Sequence, residues 1–258
     1  MFFNSGQDSK THLLRRQLSF FLAHIFPNAT HDQRPVFFYC TVTGNVQKIA
    51  LTAEGSWRGF GRHTNKMELR LSDDLPVLLV TGGSKGAQTI NRAVEAILPR
   101  LLSTCQVLHL TGSANSTLIQ LAQAGLPADL RQRYHAFEFL HNDMGAAMAA
   151  ADLAISRSGA STLGEYPFFG LPAILVPYPF AWRYQKVNAA FLEKQGAAVL
   201  IPDEEMAARL LPVVLQLFSN ADQLKSMRTA MQALARPNAA REIAGLVREL
   251  AASRKESA

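Results

Sequence analysis

From Leu75 onward the chain alternates in texture. Short apolar runs at Val77 to Val80, Val107 to Leu110, His135 to Phe139, Leu153 to Ser156, Ala173 to Val176 and Ala198 to Ile201 are separated by stretches of helical period. Few architectures accept that pattern. Runs of four to five apolar residues bounded by polar or glycine-rich turns read as strands covered on both faces, and helices between them make their pairing parallel. Gln88 to Leu102 shows the intervening period, with Ile90, Ala93, Val94, Ile97 and Leu101 on one face. After Pro202 only helices are expected, at about Glu204 to Phe218, Ala221 to Leu234 and Ala239 to Ala252. Residues 73–258 therefore predict an α/β domain with a doubly wound parallel sheet. Residues 1–72 hold no sustained period, although Arg34 to Val42 reads as one strand.

Composition narrows the partners. The chain has 258 residues, is 48% hydrophobic and carries a net charge of +6. Residues 1–72 hold a balance of +5 and residues 73–258 only +1, so the excess belongs to the least regular stretch. Basic residues beside Leu18 to Phe26 suit either an anionic membrane surface or a solvated tail. No run approaches the roughly 20 apolar residues that span a bilayer, and the N-terminal stretch only faintly imitates a secretory signal. Cys40 and Cys105 offer neither a disulfide framework nor metal spacing, which fits a reducing, cytoplasmic setting. No nucleic-acid partner, metal or cofactor is expected.

In open parallel sheets, ligands bind beyond the carboxyl ends of the strands. Asp152 to Asn188 is the most informative such stretch. It reads as strand, sharp turn, helix and strand, and its helix would open near Ser158, Gly159, Ala160, Ser161 and Thr162. A helix start leaves amide N–H groups unpaired and carries the positive end of the macrodipole, so it suits a phosphate. Glu165, about one turn further in, could accept both hydroxyls of a ribose. A nucleotide diphosphate fits this window. So does an ordinary βαβ unit whose Ser and Thr cap the helix and whose Glu is solvated. Thr81 to Ala87 adds a glycine turn after the first strand, without Walker or dinucleotide spacing. Thr111 and Gly112 end the second strand, Leu140 to Met144 the third, and Tyr178 to Asn188 follows the fifth.

In order and spacing, GGSKGAQTIN (82–91), FLHNDM (139–144), RSGASTLGE (157–165), GLPAILVPYP (170–179) and QKVNAAFLEKQGAA (185–198) resemble the donor-binding half of the MurG-like glycosyltransferase family 28, of GT-B fold. The resemblance covers about Pro76 to Leu250. It implies a Rossmann-like C-terminal GT-B half, with residues 1–72 a remnant of the N-terminal acceptor domain and linker. It implies UDP-GlcNAc as donor, with Ser158 to Thr162 and Arg157 around the diphosphate and Glu165 on the ribose. The Leu140 backbone would read uracil with Met144 packed nearby, and Ser84 and Lys85 would face the diphosphate, although the family usually has Gln where Lys85 stands. Gln185 and Asn188 match the element that holds GlcNAc hydroxyls, since amides donate and accept at once; surface positions on a helix explain the same spacing. Asn45 and Lys48 match an acceptor-side, phosphate-directed element in which Lys48 replaces an Arg and lacks its bidentate fork.

The implied reaction is transfer of N-acetylglucosamine to a lipid-linked muropeptide, on the inner face of the membrane. The glycine-rich GGTGGH loops of the family's N-terminal domain are missing from residues 1–72, and the seven histidines supply no compelling base. His135 and His141 read as structural. Two other readings stand beside the first: a non-catalytic UDP-sugar-binding module or donor subunit that needs a separate acceptor-binding chain, and a UDP-GlcNAc 2-epimerase on a similar scaffold.

Overall fold

The computed structural model describes residues 65–67, 69–83, 86–113, 123–140, 143–180 and 184–255, with side chains to 247, and the backbone of two strands at 36–42 and 45–51. Those strands, β1 (Val36–Val42) and β2 (Asn45–Leu51), form a two-stranded sheet. β1 agrees with the strand expected over Arg34 to Val42, and β2 has no counterpart in the sequence reading. Asn45 and Lys48 fall in β2; Ser84, Lys85, His141 and the Leu18 to Phe26 run lie outside the described residues.

All six apolar runs become strands of one parallel sheet: β3 (Val77–Thr81), β4 (Gln106–Leu110), β5 (Tyr134–Phe137), β6 (Leu153–Ser156), β7 (Ala173–Leu175) and β8 (Ala198–Leu200). Their order is β5-β4-β3-β6-β7-β8. β3 pairs on both sides, Leu78 standing opposite Val107 and opposite Leu153. The largest shift from expectation is at β5, which starts at Tyr134 and ends at Phe137. The Tyr134 hydroxyl meets a polar partner inside the sheet, which no apolar count registers.

The connecting helices are α1 (Gln88–Leu102), α2 (Ala128–Arg131), α3 (Met144–Ala150), α4 (Thr162–Phe169) and α5 (Tyr184–Lys194). A 3₁₀ turn at Asp203–Glu205 leads to α6 (Met206–Ser219), α7 (Ala221–Ala233) and α8 (Ala239–Lys255). Strand side chains alternate between faces. Leu78, Val80, Val107, Ile155 and Ile174 pack with Ile90, Val94 and Leu98 of α1 and with Leu210, Val214 and Leu217 of α6. Val77, Leu79, Leu108, Ala154 and Leu175 pack with α3, α4 and α5 and with Met231 of α7. Small residues in α3, among them Gly145, Ala146 and Ala147, let that helix lie close to the sheet. The packed body begins before residue 73. Leu71 joins the second core, and Lys66 Nζ donates to the carbonyls of Ser72 at 3.2 Å and Leu75 at 3.1 Å.

A polar chain runs through the first core. Asn91 Nδ2 donates to the Thr111 carbonyl at 2.9 Å, so Asn91 Oδ1 is left as acceptor for His109 Nε2 at 3.1 Å. That makes Nε2 the protonated ring nitrogen, and Nδ1 accepts from the Tyr134 hydroxyl at 2.9 Å. Burial pushes the His109 imidazole down to about 4 and holds the Tyr134 hydroxyl protonated. A folded pKa below the unfolded value near 6.5 means that protons favour the unfolded chain as pH falls. Stability is therefore expected to be intact above pH 6.5 and to drop by up to about 3 kcal/mol between pH 6.5 and 4. Urea unfolding of the protein and of His109→Gln across that window checks this, the variant lacking that component of the slope.

Candidate functional site

The strand order reverses between β3 and β6, whose following helices pack on opposite faces of the sheet. The two strand-to-helix turns diverge there and open a crevice at the carboxyl edge. Both predicted binding turns lie at this point. In the turn after β3, Gly86 N donates to Gly83 O at 2.9 Å. A Cβ on Gly82 would meet Ala87 N at 2.1 Å, and one on Gly86, at φ +71°, would meet the Thr111 carbonyl at 2.1 Å. Glycine is required here by close backbone approach and, at Gly86, by left-handed backbone.

The turn after β6 is tighter than a plain helix start. Thr162, Leu163 and Gly164 donate their amides to Gly159, Ala160 and Ser161 carbonyls at 3.1, 3.3 and 3.1 Å, a 3₁₀ entry into α4. The amides without an acceptor among the described residues are those of Gly159, Ala160 and Ser161, upstream of the first helical turn in which the sequence placed them. Two of the three expected hydroxyl donors are engaged internally: Ser158 Oγ, fully buried, donates to Gln185 O at 2.7 Å, and Thr162 Oγ1 donates to Gly159 O at 2.6 Å. Ser161, half-buried at the N-cap, makes no side-chain cap bond. A Cβ on Gly159 would meet nothing within 4 Å, and its backbone suits any residue. Ala160 is half-buried beside it, so the turn presents an open, small-residue floor. Glu165 is half-buried in the same short helix.

Helix α5 braces this floor. Asn188 Nδ2 donates to Ser158 O at 3.0 Å, and Gln185 Oε1 accepts from Tyr178 N at 2.9 Å. Each amide is oriented by one bond, which leaves Gln185 Nε2 as donor and Asn188 Oδ1 as acceptor. Leu140 and Met144, both half-buried, pack against the second core along with Leu163 of α4.

Arg157 has a different setting from the one its sequence position suggested. Rather than standing open toward an anion, its Nη1 donates to the carbonyls of Val176 at 3.2 Å and Pro177 at 3.3 Å and to the Asp203 carboxylate. Its Nη2 donates to Thr89 Oγ1 at 2.5 Å, and the guanidinium lies 5.2 Å from the Tyr178 ring centroid. Tyr178 lies in the segment expected at this edge, whereas Thr89 and Asp203 are the residues that sequence reasoning did not single out. The available signal was Asp203's position just beyond β8 and Thr89's in the first turn of the helix after β3.

Of the histidines, His135 Nε2 is buried without a hydrogen-bond partner among the described residues, and burial lowers the pKa of its ring. No group of three or more His, Cys, Asp or Glu among the described residues could hold a metal ion.

A sheet ordered in this way, with its crevice at the reversal and a helical cover on both faces, is the C-terminal half of the GT-B glycosyltransferase architecture. The crystal structure of Acinetobacter baumannii MurG superposes with a TM-score of 0.62 at 28% identity, over 74% of this chain and 54% of that one. A putative UDP-N-acetylglucosamine 2-epimerase from Listeria monocytogenes shares the fold at a TM-score of 0.51 and 20% identity, over 79% of this chain and 50% of that one. The model of the glycosyltransferase family 28 C-terminal domain matches residues 77–243. The chain belongs to glycosyltransferase family 28. It is 42% identical over 205 residues to the UDP-N-acetylglucosamine–N-acetylmuramyl-(pentapeptide) pyrophosphoryl-undecaprenol N-acetylglucosamine transferase of Roseiflexus sp. (strain RS-1), covering 72% of this chain and 46% of that protein. It is 37% identical over 209 residues to the enzyme of the same name from Desulfitobacterium hafniense (strain Y51), covering 78% and 56%. The chain thus spans about half the length of the curated relatives it matches.

The two glycine turns should respond oppositely to a methyl group. Gly86→Ala is expected to cost about 2 to 4 kcal/mol, through strained backbone and a clash with a main-chain oxygen, and Gly159→Ala less than about 0.5 kcal/mol. Denaturant unfolding of the two variants measures the contrast; equal losses would contradict it.

Proposed function

We propose that this chain binds UDP-N-acetylglucosamine in the crevice between the β3 and β6 turns and serves its transfer to a lipid-linked muropeptide acceptor, a step of peptidoglycan precursor synthesis. The observation that carries the reading is the run of amides at Gly159, Ala160 and Ser161 that have no acceptor among the described residues, over an open floor, followed one turn later by Glu165. Successive free N–H groups at the positive end of a helix suit a diphosphate. Family membership and the names of the relatives supply the nucleotide and the sugar.

In this reading the Leu140 main chain reads the base, Met144 flanks it and Glu165 holds the ribose. Ser158 and Thr162 shape the turn, while Ser161, with Ser84 and Lys85 of the opposite turn, meets the diphosphate. Gln185 Nε2 and Asn188 Oδ1 give one donor and one acceptor for sugar hydroxyls. The turn amides stabilise negative charge as UDP departs, which needs no metal. The acceptor hydroxyl must also lose a proton to a base, a role this reading assigns to no described residue of the donor crevice. The acceptor, the base and the acceptor-side contacts assigned to Asn45 and Lys48 belong with an acceptor-binding part. The setting is the cytoplasmic face of the membrane, with peripheral association. A donor subunit that works only with a separate acceptor-binding chain uses the same crevice and differs in requiring that chain for turnover.

Titration calorimetry with UDP-N-acetylglucosamine tests the site. Glu165→Ala is expected to lose about 2 to 3 kcal/mol of binding, the worth of charge-assisted bonds to two hydroxyls. Gly159→Ala should weaken binding by at least about tenfold, by filling the diphosphate floor, with unfolding unchanged. Equal affinity of the protein and both variants would remove the assignment.

A further inference from the structure

The described geometry assigns no partner in the reaction to Thr89 or Asp203, and it holds Arg157 away from the role of a free cation. Thr89 is the second residue of α1, Arg157 follows β6, and Asp203 opens the 3₁₀ turn beyond β8. Thr89 Oγ1 donates to Asp203 Oδ1 at 3.0 Å and accepts from Arg157 Nη2, and Arg157 Nη1 donates to the same Asp203 oxygen. The carbonyls of Val176 and Pro177 complete the Nη1 contacts, and the Tyr178 ring covers the guanidinium. The Arg157 and Asp203 side chains are only 10% and 15% exposed. One guanidinium therefore joins the segments that leave β3, β6, β7 and β8.

We propose that Thr89, Arg157 and Asp203 form a clasp that positions the diphosphate seat, with Arg157 acting through geometry and not as a direct phosphate ligand. The proposal rests on the reading that the β6–α4 turn holds a diphosphate. Arg157 is the residue immediately before that turn, so fixing its side chain fixes the angle at which Ser158 to Ser161 leave the strand. Asp203 neutralises the guanidinium at contact distance, which cancels most of the attraction that Arg157 would exert on an anion. A direct ligand paired in this way would be handicapped by its own partner; a brace is strengthened by it. Thr89 ties the brace to α1, so the two turns that line the crevice are held by the same group.

The two roles predict opposite signs for one substitution. Asp203→Asn keeps the shape and removes the neutralising charge. A direct ligand Arg157 would then bind UDP more tightly, whereas a clasp loses its anchor and UDP binding weakens, by about tenfold for loosened positioning of this kind. Uridine, which has no phosphate, should bind the variant as it binds the protein, since Leu140 and Glu165 lie outside the clasp. Thr89→Val retains the ion pair but drops both hydroxyl bonds, and should weaken UDP by about threefold with uridine unchanged. Calorimetry with UDP, ligand-observed NMR with uridine and an unfolding midpoint for each variant give the readout. Tighter or unchanged UDP binding in Asp203→Asn overturns the clasp, as does equal weakening of uridine and UDP in Thr89→Val. Should Asp203→Asn fail to fold, Asp203→Glu replaces it, with recovery of UDP affinity relative to Asp203→Ala expected and no recovery overturning the proposal. Absence of UDP binding by the unsubstituted protein would instead sink the proposed function.

Discussion

Burying a parallel sheet on both faces leaves only its two rims for chemistry, and everything else in this molecule follows from how one rim is divided. Backbone hydrogen bonds are satisfied within the sheet, and apolar side chains fill both cores. At the carboxyl rim the chain must leave each strand and turn toward a helix. Where consecutive connections go to the same face, neighbouring turns crowd each other. Between β3 and β6 they go to opposite faces, and the rim opens. The crevice is thus a by-product of winding order, and the sequence needs only to furnish it with small residues.

That furnishing is held from below by polar groups whose cost is met in pairs. The chain from Tyr134 through His109 and Asn91 ends on the Thr111 carbonyl, and that oxygen is the atom a side chain at Gly86 would strike. The neutral histidine and the glycine turn after β3 are therefore two ends of one arrangement. A protonated His109 could not accept from the Tyr134 hydroxyl, and the chain would be broken at that link. On the other side of the crevice Asn188, Gln185 and Ser158 brace one another across α5 and the β6–α4 turn. Rigid turns matter because anion binding by main-chain amides depends on their convergence, and amides cannot adjust as lysine side chains can.

The sheet was legible because its signal is apolar run length, which burial on both faces enforces. All six runs were found in order, and α1 was bounded to the residue. The carboxyl-rim location of the crevice followed from fold logic alone. Fine geometry was less legible. Ser158 and Thr162 looked like ligands because hydroxyls near a helix start serve phosphates or turns equally well, and only coordinates show that both donate to main-chain carbonyls. Arg157 looked like a leaving-group cation because its neutralising partner, Asp203, lies 46 residues away in sequence. Spacing cannot reveal a pair closed by tertiary structure. The start of the packed body was missed for a similar reason, since Lys66 and Leu71 are fixed by carbonyls and a core built from residues further along.

Family membership and structural likeness bear unequally on function. The UDP-N-acetylglucosamine 2-epimerase fold resembles this one without close sequence similarity, so the architecture alone marks a sheet with a crevice at its reversal and says nothing about transfer versus epimerisation. What separates the two chemistries is the furniture of the rim. Epimerisation removes and returns a proton on the sugar ring, and requires carboxylates or histidines beside it. Transfer asks the donor side only to hold the nucleotide and to accept negative charge as it leaves. Among the described residues, the crevice between the β3 and β6 turns offers amides, the Ser161 hydroxyl, amide side chains and the Glu165 carboxylate a turn away, while the Thr89 hydroxyl and the Asp203 carboxylate are taken up by Arg157. That inventory suits an anionic group held by main-chain amides, which is the property the donor side of a transfer reaction would draw on.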